Sequence, residues 1–420
     1  MDHFNYRDLE LFCEDVKLAD VAEAAGTPAY VYSRRTITDH YHRLAEAFAW
    51  AKPTICYSVK ACANLAVLRI FVELGAGFDV VSGGEIHRVL KAGGDAGKIV
   101  FAGVGKTDDE IAQAVDLGIH LFTVESEPEL EVIESVAAGR GKRVRAALRV
   151  NPDVDPETHT YITTGKRENK FGVDLERAGK VLERRGDFPH VDFVGVHAHI
   201  GSQIVSVDPY VIALGRIAHF IREQEAAGVI LETIDIGGGF GIFYKLGEAL
   251  TAKEFSDAIR PVVQPLGKAI IMEPGRFIVG NAGVLLTRVI FVKESGERRF
   301  VVVDAAMNDL IRPALYGAEH RVWPLRPPFM PEDVARMPGL KTADIVGPVC
   351  ESGDFLALAR PFPDVKRGDL LAVFSAGAYG MTMSSNYNAR PRAPEVLVEG
   401  SDFRVVRRRE NFDDLTRLES

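Results

Sequence analysis

A lysine, Lys60, stands at the end of the apolar segment TICYSVK, where an ammonium is costly to bury unless it is paired, neutral or covalently modified. Two readings follow: a Schiff-base nucleophile freed by desolvation, or a side chain that reaches solvent or pairs with a carboxylate. The glycines Gly237, Gly238, Gly239 and Gly241 follow another apolar segment, and Gly275-Arg276 follows a further one. Backbone N–H groups with no side chain over them can cradle phosphate; GGGFG alone could be a tight turn, and its place after the seventh apolar segment favours phosphate. His197 and His199 alternate along FVGVHAHIGS; an imidazole there can stack on a planar ring while Ser202 donates to phosphate. His197 reads first as a satisfied core histidine. Glu273 is a charge in an apolar setting and needs a cationic partner, which a protonated pyridine nitrogen would supply. An amine for an aldehyde, a cradle for phosphate and a carboxylate for a ring nitrogen together describe pyridoxal 5'-phosphate (PLP).

These residues sit at the ends of a repeating device. Between Pro53 and Arg276 eight apolar, β-branched segments run into polar or glycine-rich stops: TICYSVK, GFDVVSGGE, KIVFAGVGK, HLFTVES, RAALRVNP, FVGVHAHIGS, TIDIGGGFG and AIIMEPGR. Short continuous apolar runs bounded by turn residues read as strands of a parallel sheet, buried on both faces. Helical patterns separate them. Thr107 caps one, with Asp108, Asp109 and Glu110 in its first turn, Ile111, Ala114, Val115 and Leu117 on one face, and Gly118 at its stop. Ser126 and Pro128 repeat the signal ahead of Leu130, Ile133 and Val136. Eight β-then-α units predict an α/β fold with a closed (β/α)8 TIM-like barrel, whose reactive groups gather where the strands end. An open doubly wound sheet is the alternative on pattern alone.

After about residue 277 the texture changes to short alternating runs, GVLLTRVIFVKES, RRFVVVDAA, TADIVGPVC, DLLAVFSAG and APEVLVEG, the look of an antiparallel sandwich or barrel. The predicted organisation is a cofactor-binding barrel over 28–276, its first strand near Tyr30–Tyr32 or at Thr54. A β domain made of 1–27 and 277–420 completes it. The proline-rich stretch 322–338 reads as an irregular excursion, and the polar loop 155–170 has no assigned role.

Composition bounds the function. The 420 residues exceed what one core usually organises, and 47% hydrophobic content is ordinary globular usage. A net charge of -9 offers no basic field for nucleic acid or anionic membrane. The N-terminus lacks the pattern of a secretory signal, and no stretch approaches the roughly 20 apolar residues of a membrane span. Cys13, Cys56, Cys62 and Cys350 form no C-x-x-C pair, which fits a reducing cytoplasm and argues against a structural metal or a disulfide framework.

The chain also resembles the PLP-dependent decarboxylases of the alanine-racemase-like fold, and within them the diaminopimelate decarboxylase family. The matching words are YSVKAC, HAHIGSQ, DIGGGFG, EPGR, RPALYGAEH, GPVCESGD and GAYGMTMSSNYN, in the expected order over almost the whole chain. The resemblance implies a homodimer with shared active sites, in which Lys60 is the Schiff-base lysine, His199 stacks on the cofactor and Glu273 pairs with its ring nitrogen. It places Ser202, Gly238, Gly239, Gly275, Arg276 and Tyr379 around the cofactor phosphate, with Asp79 and Arg149 in support. It assigns Arg276, Arg312 and Tyr316, with Tyr379 beside them, to the substrate's distal carboxylate. Cys350, as catalytic acid, and Glu351, for a distal ammonium, come from the partner chain. The implied reaction turns meso-2,6-diaminopimelate into L-lysine and CO2. The alternatives are another basic or diamino acid, such as ornithine, arginine, carboxynorspermidine or an antibiotic-pathway substrate, and a non-catalytic PLP-binding homologue.

Overall fold

The computed structural model describes residues 2–154, 170–244, 249–296, 298–329 and 339–420. Chain contacts divide it into two units: one made of Met1–His40, Phe243–Glu248 and Ile278–Ser420, the other of Tyr41–Ile242 and Ala249–Phe277. Three short strands, β1 (Phe4–Arg7), β2 (Glu10–Cys13) and β3 (Val16–Lys17), open the chain, followed by β4 (Ala29–Ser33).

The eight apolar segments form β5 (Thr54–Ser58), β6 (Gly77–Val80), β7 (Ile99–Phe101), β8 (Leu121–Val124), β9 (Val144–Asn151), β11 (Val191–His197), β12 (Thr233–Asp235) and β13 (Ala269–Met272). A two-residue strand, β10 (Val173–Asp174), flanks β9. The eight pair in parallel in chain order, and the ring closes where Ile271 of β13 meets Thr54 of β5. The barrel expectation therefore holds and the open sheet does not. Cys56, Val100, Leu121, Ala147, Val194 and Ile271, from six of these strands, meet in one buried cluster. That two-sided burial is why the strands read as continuous rather than alternating apolar runs.

The helices follow their punctuation. Thr107 and Glu110 close a reciprocal capping box on the helix Asp108–Leu117, which stops at left-handed Gly118. Ser126 caps Glu127–Gly139, whose fully buried residues are Leu130, Ile133 and Ala137; the expected Val136 is only half-buried. No helix among the described residues is long and apolar enough to cross a membrane.

In the other unit a mostly antiparallel sheet runs β18 (Phe355–Phe362), β17 (Lys341–Val346), β15 (Arg298–Val303), β14 (Gly283–Ser295), β4, β20 (Glu395–Glu399), β21 (Asp402–Arg407). Strands β16 (Val322–Pro324) and β19 (Leu370–Val373) join it through β14. Two placements differ from expectation. Strand β4 lies between β14 and β20, so residues 29–33 belong to this sheet and Thr54 opens the barrel. All five β4 residues are buried, so locally they look like a barrel strand; only the closure of the ring at eight excludes them. The start of the proline-rich stretch is also ordered, because 322–324 pair with β19; residues 330–338 lie outside the described residues, as do 155–169. The N-terminal strands form their own small sheet, tied to this unit by Leu11 N–H to the Leu325 carbonyl (2.9 Å) and Tyr6 Oη–H to the Pro324 carbonyl (2.7 Å).

Because Thr107 caps an exposed helix end, Thr107→Ala should lower the unfolding free energy by about 1 kcal/mol and leave catalytic rates unchanged. Urea denaturation and steady-state rates measured side by side check both halves.

Candidate active site

Strand β5 stops at Ser58, and the single 3-10 turn that follows, Val59–Ala61, carries Lys60. The Lys60 Nζ lies 2.6 Å from Asp79 Oδ2, and Ser58 Oγ donates to the same oxygen at 2.7 Å. Asp79, in β6, has no exposed surface, whereas the Lys60 side chain keeps 36% of its own. The pair is therefore one-sided, and the amine can be reached while its counterion cannot. Burial pushes the Asp79 carboxyl above the usual range, the charge of Glu273 adds to this, and Lys60 opposes it. The paired reading of Lys60 and the nucleophile reading are compatible, since a carboxylate of this kind orients the amine without covering it.

Strands β11, β12 and β13 deliver the next group. Glu273 follows β13 directly, is buried, and accepts from His197 Nε2 at 3.1 Å through Oε2. Burial opposes its ionisation, yet the hydrogen bond and charge of His197 and the charge of Lys60 hold it well below the usual carboxylate range. Its Oε1 is buried and has no hydrogen-bond partner among the described residues. His199 lies just beyond β11, and its Nδ1 accepts the Gly238 N–H at 3.2 Å. Burial, with the neighbouring charges of Arg149 and Lys60, pushes this imidazole down to about 3, so the ring is neutral at physiological pH.

The glycine run is shaped by close packing as well as by its free amide. The amides of Gly237, Gly238 and Gly241 are not presented to a ligand: they donate to Asp235 Oδ1 (2.9 Å), His199 Nδ1 (3.2 Å) and the Ile204 carbonyl (3.0 Å). Only the Gly239 amide lacks an acceptor among the described residues. Shape explains the others. Gly237 sits at φ +65° against the Ala198 carbonyl, and a Cβ on Gly238 would lie 2.2 Å from the Glu273 carbonyl oxygen. A side chain at either position would push His199 or Glu273 out of place.

Around these groups, Arg149 of β9 is buried, donates to Glu125 Oε1 at 2.8 Å and lies over the Phe171 ring. Arg276 donates to Ser202 Oγ at 2.9 Å, and Gly275 packs against Ser58 and Ala61. Sequence reasoning passed over Ser58, Glu125, Asp235 and Tyr210, whose Oη–H donates to the Gly238 carbonyl at 2.5 Å. The signal that found Glu273, an acid closing an apolar strand, applies equally to Asp235 and Glu125.

The β unit presents the remaining expected residues. Arg312 opens the short helix Arg312–Tyr316; it is buried, its Nη1 donates to His320 Nε2 at 3.0 Å, and its guanidinium lies 4.9 Å from the Tyr244 ring centre. His320 Nδ1 in turn lies 2.9 Å from the Phe374 carbonyl, so it is the hydrogen donor there and Nε2 is free to accept from Arg312. Tyr316 and Tyr379 are half-buried, and Tyr379 takes a left-handed backbone at φ 55°. Cys350 and Glu351 are exposed on a loop that Asp354 organises by accepting the amides of Met307 (2.7 Å) and Val349 (2.6 Å).

The barrel residues suit PLP: a reachable amine, a neutral imidazole, a backbone amide with no acceptor among the described residues, and a buried, ionised carboxylate able to accept from a ring N–H. Fold and site thus define a PLP-dependent decarboxylase of the barrel type, and the family described as "Pyridoxal-dependent decarboxylase, pyridoxal binding domain" matches residues 34–280. Among curated relatives, the diaminopimelate decarboxylase of Pseudomonas aeruginosa is 48% identical over 100% of this chain and 99% of that protein. The one from Aquifex aeolicus is 47% identical over 98% and 96%. The crystal structure of diaminopimelate decarboxylase from Helicobacter pylori complexed with L-lysine superposes with a TM-score of 0.90 at 39% identity, covering 96% of this chain and 99% of that one. The chain belongs to the diaminopimelate decarboxylase family.

The neutral His199 has a measurable consequence. An unfolded histidine takes up its proton near 6.5, and the native ring does so only near 3, so native stability falls as pH drops from 6.5 towards 3. In the cofactor-free protein, His199→Asn should make the pH dependence of the unfolding free energy shallower by up to one proton between pH 6.5 and 4. Urea titrations across that interval read it directly.

Proposed function

We propose that this chain decarboxylates meso-2,6-diaminopimelate to L-lysine and CO2, the last step of lysine biosynthesis, as a cytoplasmic homodimer. The observation that carries this reading is the full-length likeness to relatives named for that activity, in a chain whose Lys60 amine is reachable beside buried carboxylates. A solved relative complexed with L-lysine supports the product.

In this reading Lys60 would hold the cofactor through its aldehyde, with Asp79 and Arg149 in support. His199 would lay its neutral ring against the cofactor, and the ionised Glu273 would accept a hydrogen bond from its protonated ring nitrogen. The phosphate falls to the Gly239 amide, Ser202, the Gly275-Arg276 turn and Tyr379, with Gly238 serving by its lack of bulk. When bound, PLP supplies an acceptor for the electron pair released as the C–COO bond breaks. Everything else comes from the chain. Arg276, Arg312 and Tyr316 grip the distal carboxylate, and the buried, doubly anchored Arg312 does so with little freedom left to lose. Exclusion of water from the α-carboxylate favours its loss, and Lys60 then releases product.

Cys350 delivers a proton to the substrate α-carbon and Glu351 receives the distal ammonium, both in the partner's site. The exposure of the two residues on a loop braced by Asp354 supports that assignment.

Against a panel of meso-diaminopimelate, ornithine, arginine, lysine and carboxynorspermidine, the holoenzyme should release CO2 efficiently from diaminopimelate alone; release from ornithine but not diaminopimelate would overturn the substrate assignment. Shared sites make a second forecast. Lys60→Ala and Cys350→Ala are each expected to be nearly inactive, and mixing them under exchange should restore about one quarter of the native activity through hybrid dimers with one intact site. Recovery no greater than the sum of the parents would count against sites shared between chains.

A further inference from the structure

The chemistry assigned so far uses one face of Glu273 and leaves unexplained what stands behind it. His197, Asp235 and Glu273 close three neighbouring strands: His197 and Asp235 are direct partners in the β11–β12 ladder, and Asp235 pairs with Ile271 of β13, two residues before Glu273. All three side chains are buried, and one polar atom from each lies within 4.8 Å of the others. His197 reaches Glu273 Oε2, while Asp235 Oδ1 accepts the Gly237 amide. That leaves Asp235 Oδ2 and Glu273 Oε1, two buried oxygens with no other partner among the described residues. As two bare carboxylates in a dry setting they repel; with one proton between them the same geometry becomes a hydrogen bond.

We propose that His197 and Asp235 are positioning residues for Glu273, His197 holding one carboxylate oxygen and the neutral carboxyl of Asp235 donating to the group from behind. The inference rests on the reading of Glu273 as partner of the cofactor ring nitrogen and adds the device that keeps it ionised and aimed. Protonation at Asp235 is where burial drives it: burial, the charge of Glu273 and the hydrogen bond between the two side chains all raise Asp235 well above the carboxylate range. Glu273 moves the opposite way. Asp79 is the third acid in the vicinity, and its pairing with Lys60 leaves it out of this exchange. The proton shared by Asp235 and Glu273 therefore settles on Asp235, and Glu273 keeps the negative charge that a pyridinium requires. Gly237 is part of the arrangement, since its amide fixes which oxygen of Asp235 remains to donate.

The proposal makes an unusual demand on Asp235: an amide should replace it better than its removal does. In Asp235→Asn the carbonyl can accept from Gly237 and the NH2 can donate to Glu273, so both contacts survive without any charge. Holoenzyme reconstituted with PLP labelled with 15N in the ring reports the outcome by NMR, because the ring nitrogen shift distinguishes pyridinium from pyridine. Native enzyme should read as pyridinium, Asp235→Asn should recover most of that signal, and Asp235→Ala and His197→Phe should move towards pyridine. For the last two, kcat is expected to drop roughly 10- to 100-fold, the scale of a lost hydrogen bond to a charge, with little change in KM. Glu273→Gln is the control. If it leaves the signal unmoved, the ring-nitrogen reading itself fails. If it moves the signal while Asp235→Ala and His197→Phe do not, the positioning proposal fails alone. Loss of the pyridinium signal in Asp235→Asn would also overturn the proposal, by showing that Asp235 acts through charge; this variant is isosteric, so it decides the matter even if His197→Phe does not fold.

Discussion

Three carboxyl groups, Asp79, Asp235 and Glu273, are buried at the strand ends of one barrel, and the cost of keeping acids so close in a dry place organises what surrounds them. Each is managed differently. Asp79 is answered by the Lys60 ammonium, Glu273 by His197, and Asp235 by the Gly237 amide together with its own proton. Lys60 is placed by this arrangement as much as by its own strand, since the ion pair sets where its amine rests. His199 is tuned by the opposite means: burial beside the charges of Arg149 and Lys60 outweighs the opposing charge of Glu273 and leaves it neutral.

The barrel was highly legible because its strands are buried on both faces and its helices carry strong caps. Eight apolar runs became eight strands, and Thr107, Gly118 and Ser126 mark helix ends where they were expected. What the pattern could not decide was membership. AYVYS at 29–33 is as apolar as any barrel strand, yet it pairs with β14 and β20; burial is a local property of a segment, while the choice of neighbours is a property of the whole chain. Strands β18 and β21 escaped notice for a different reason. Their burial is irregular and β18 contains a left-handed Ala359, so no period of two survives to be read.

The site was legible by residue type rather than by geometry. Lys60, His199 and Glu273 announced themselves as polar groups closing apolar strands, and the structure brings them into electrostatic reach of one another. The glycine run is ambiguous in sequence because glycine has two uses, freeing an amide or removing a side chain. Here Gly237 and Gly238 serve the second, with carbonyl oxygens where their Cβ atoms would be. Asp235 went unremarked inside the same word that carried those glycines.

The insertion of β4 between β14 and β20 means that one sheet is assembled from both ends of the chain, whereas the barrel is drawn almost wholly from its middle. During synthesis on the ribosome the barrel can close before the rest exists. The apolar segment 29–33, made early, waits for a neighbour near residue 395 that emerges only tens of seconds later at translation rates of about 5–20 residues per second. Until β14 emerges near residue 283 it has no strand of its own sheet to pair with, and one of its edges stays open until β20 follows.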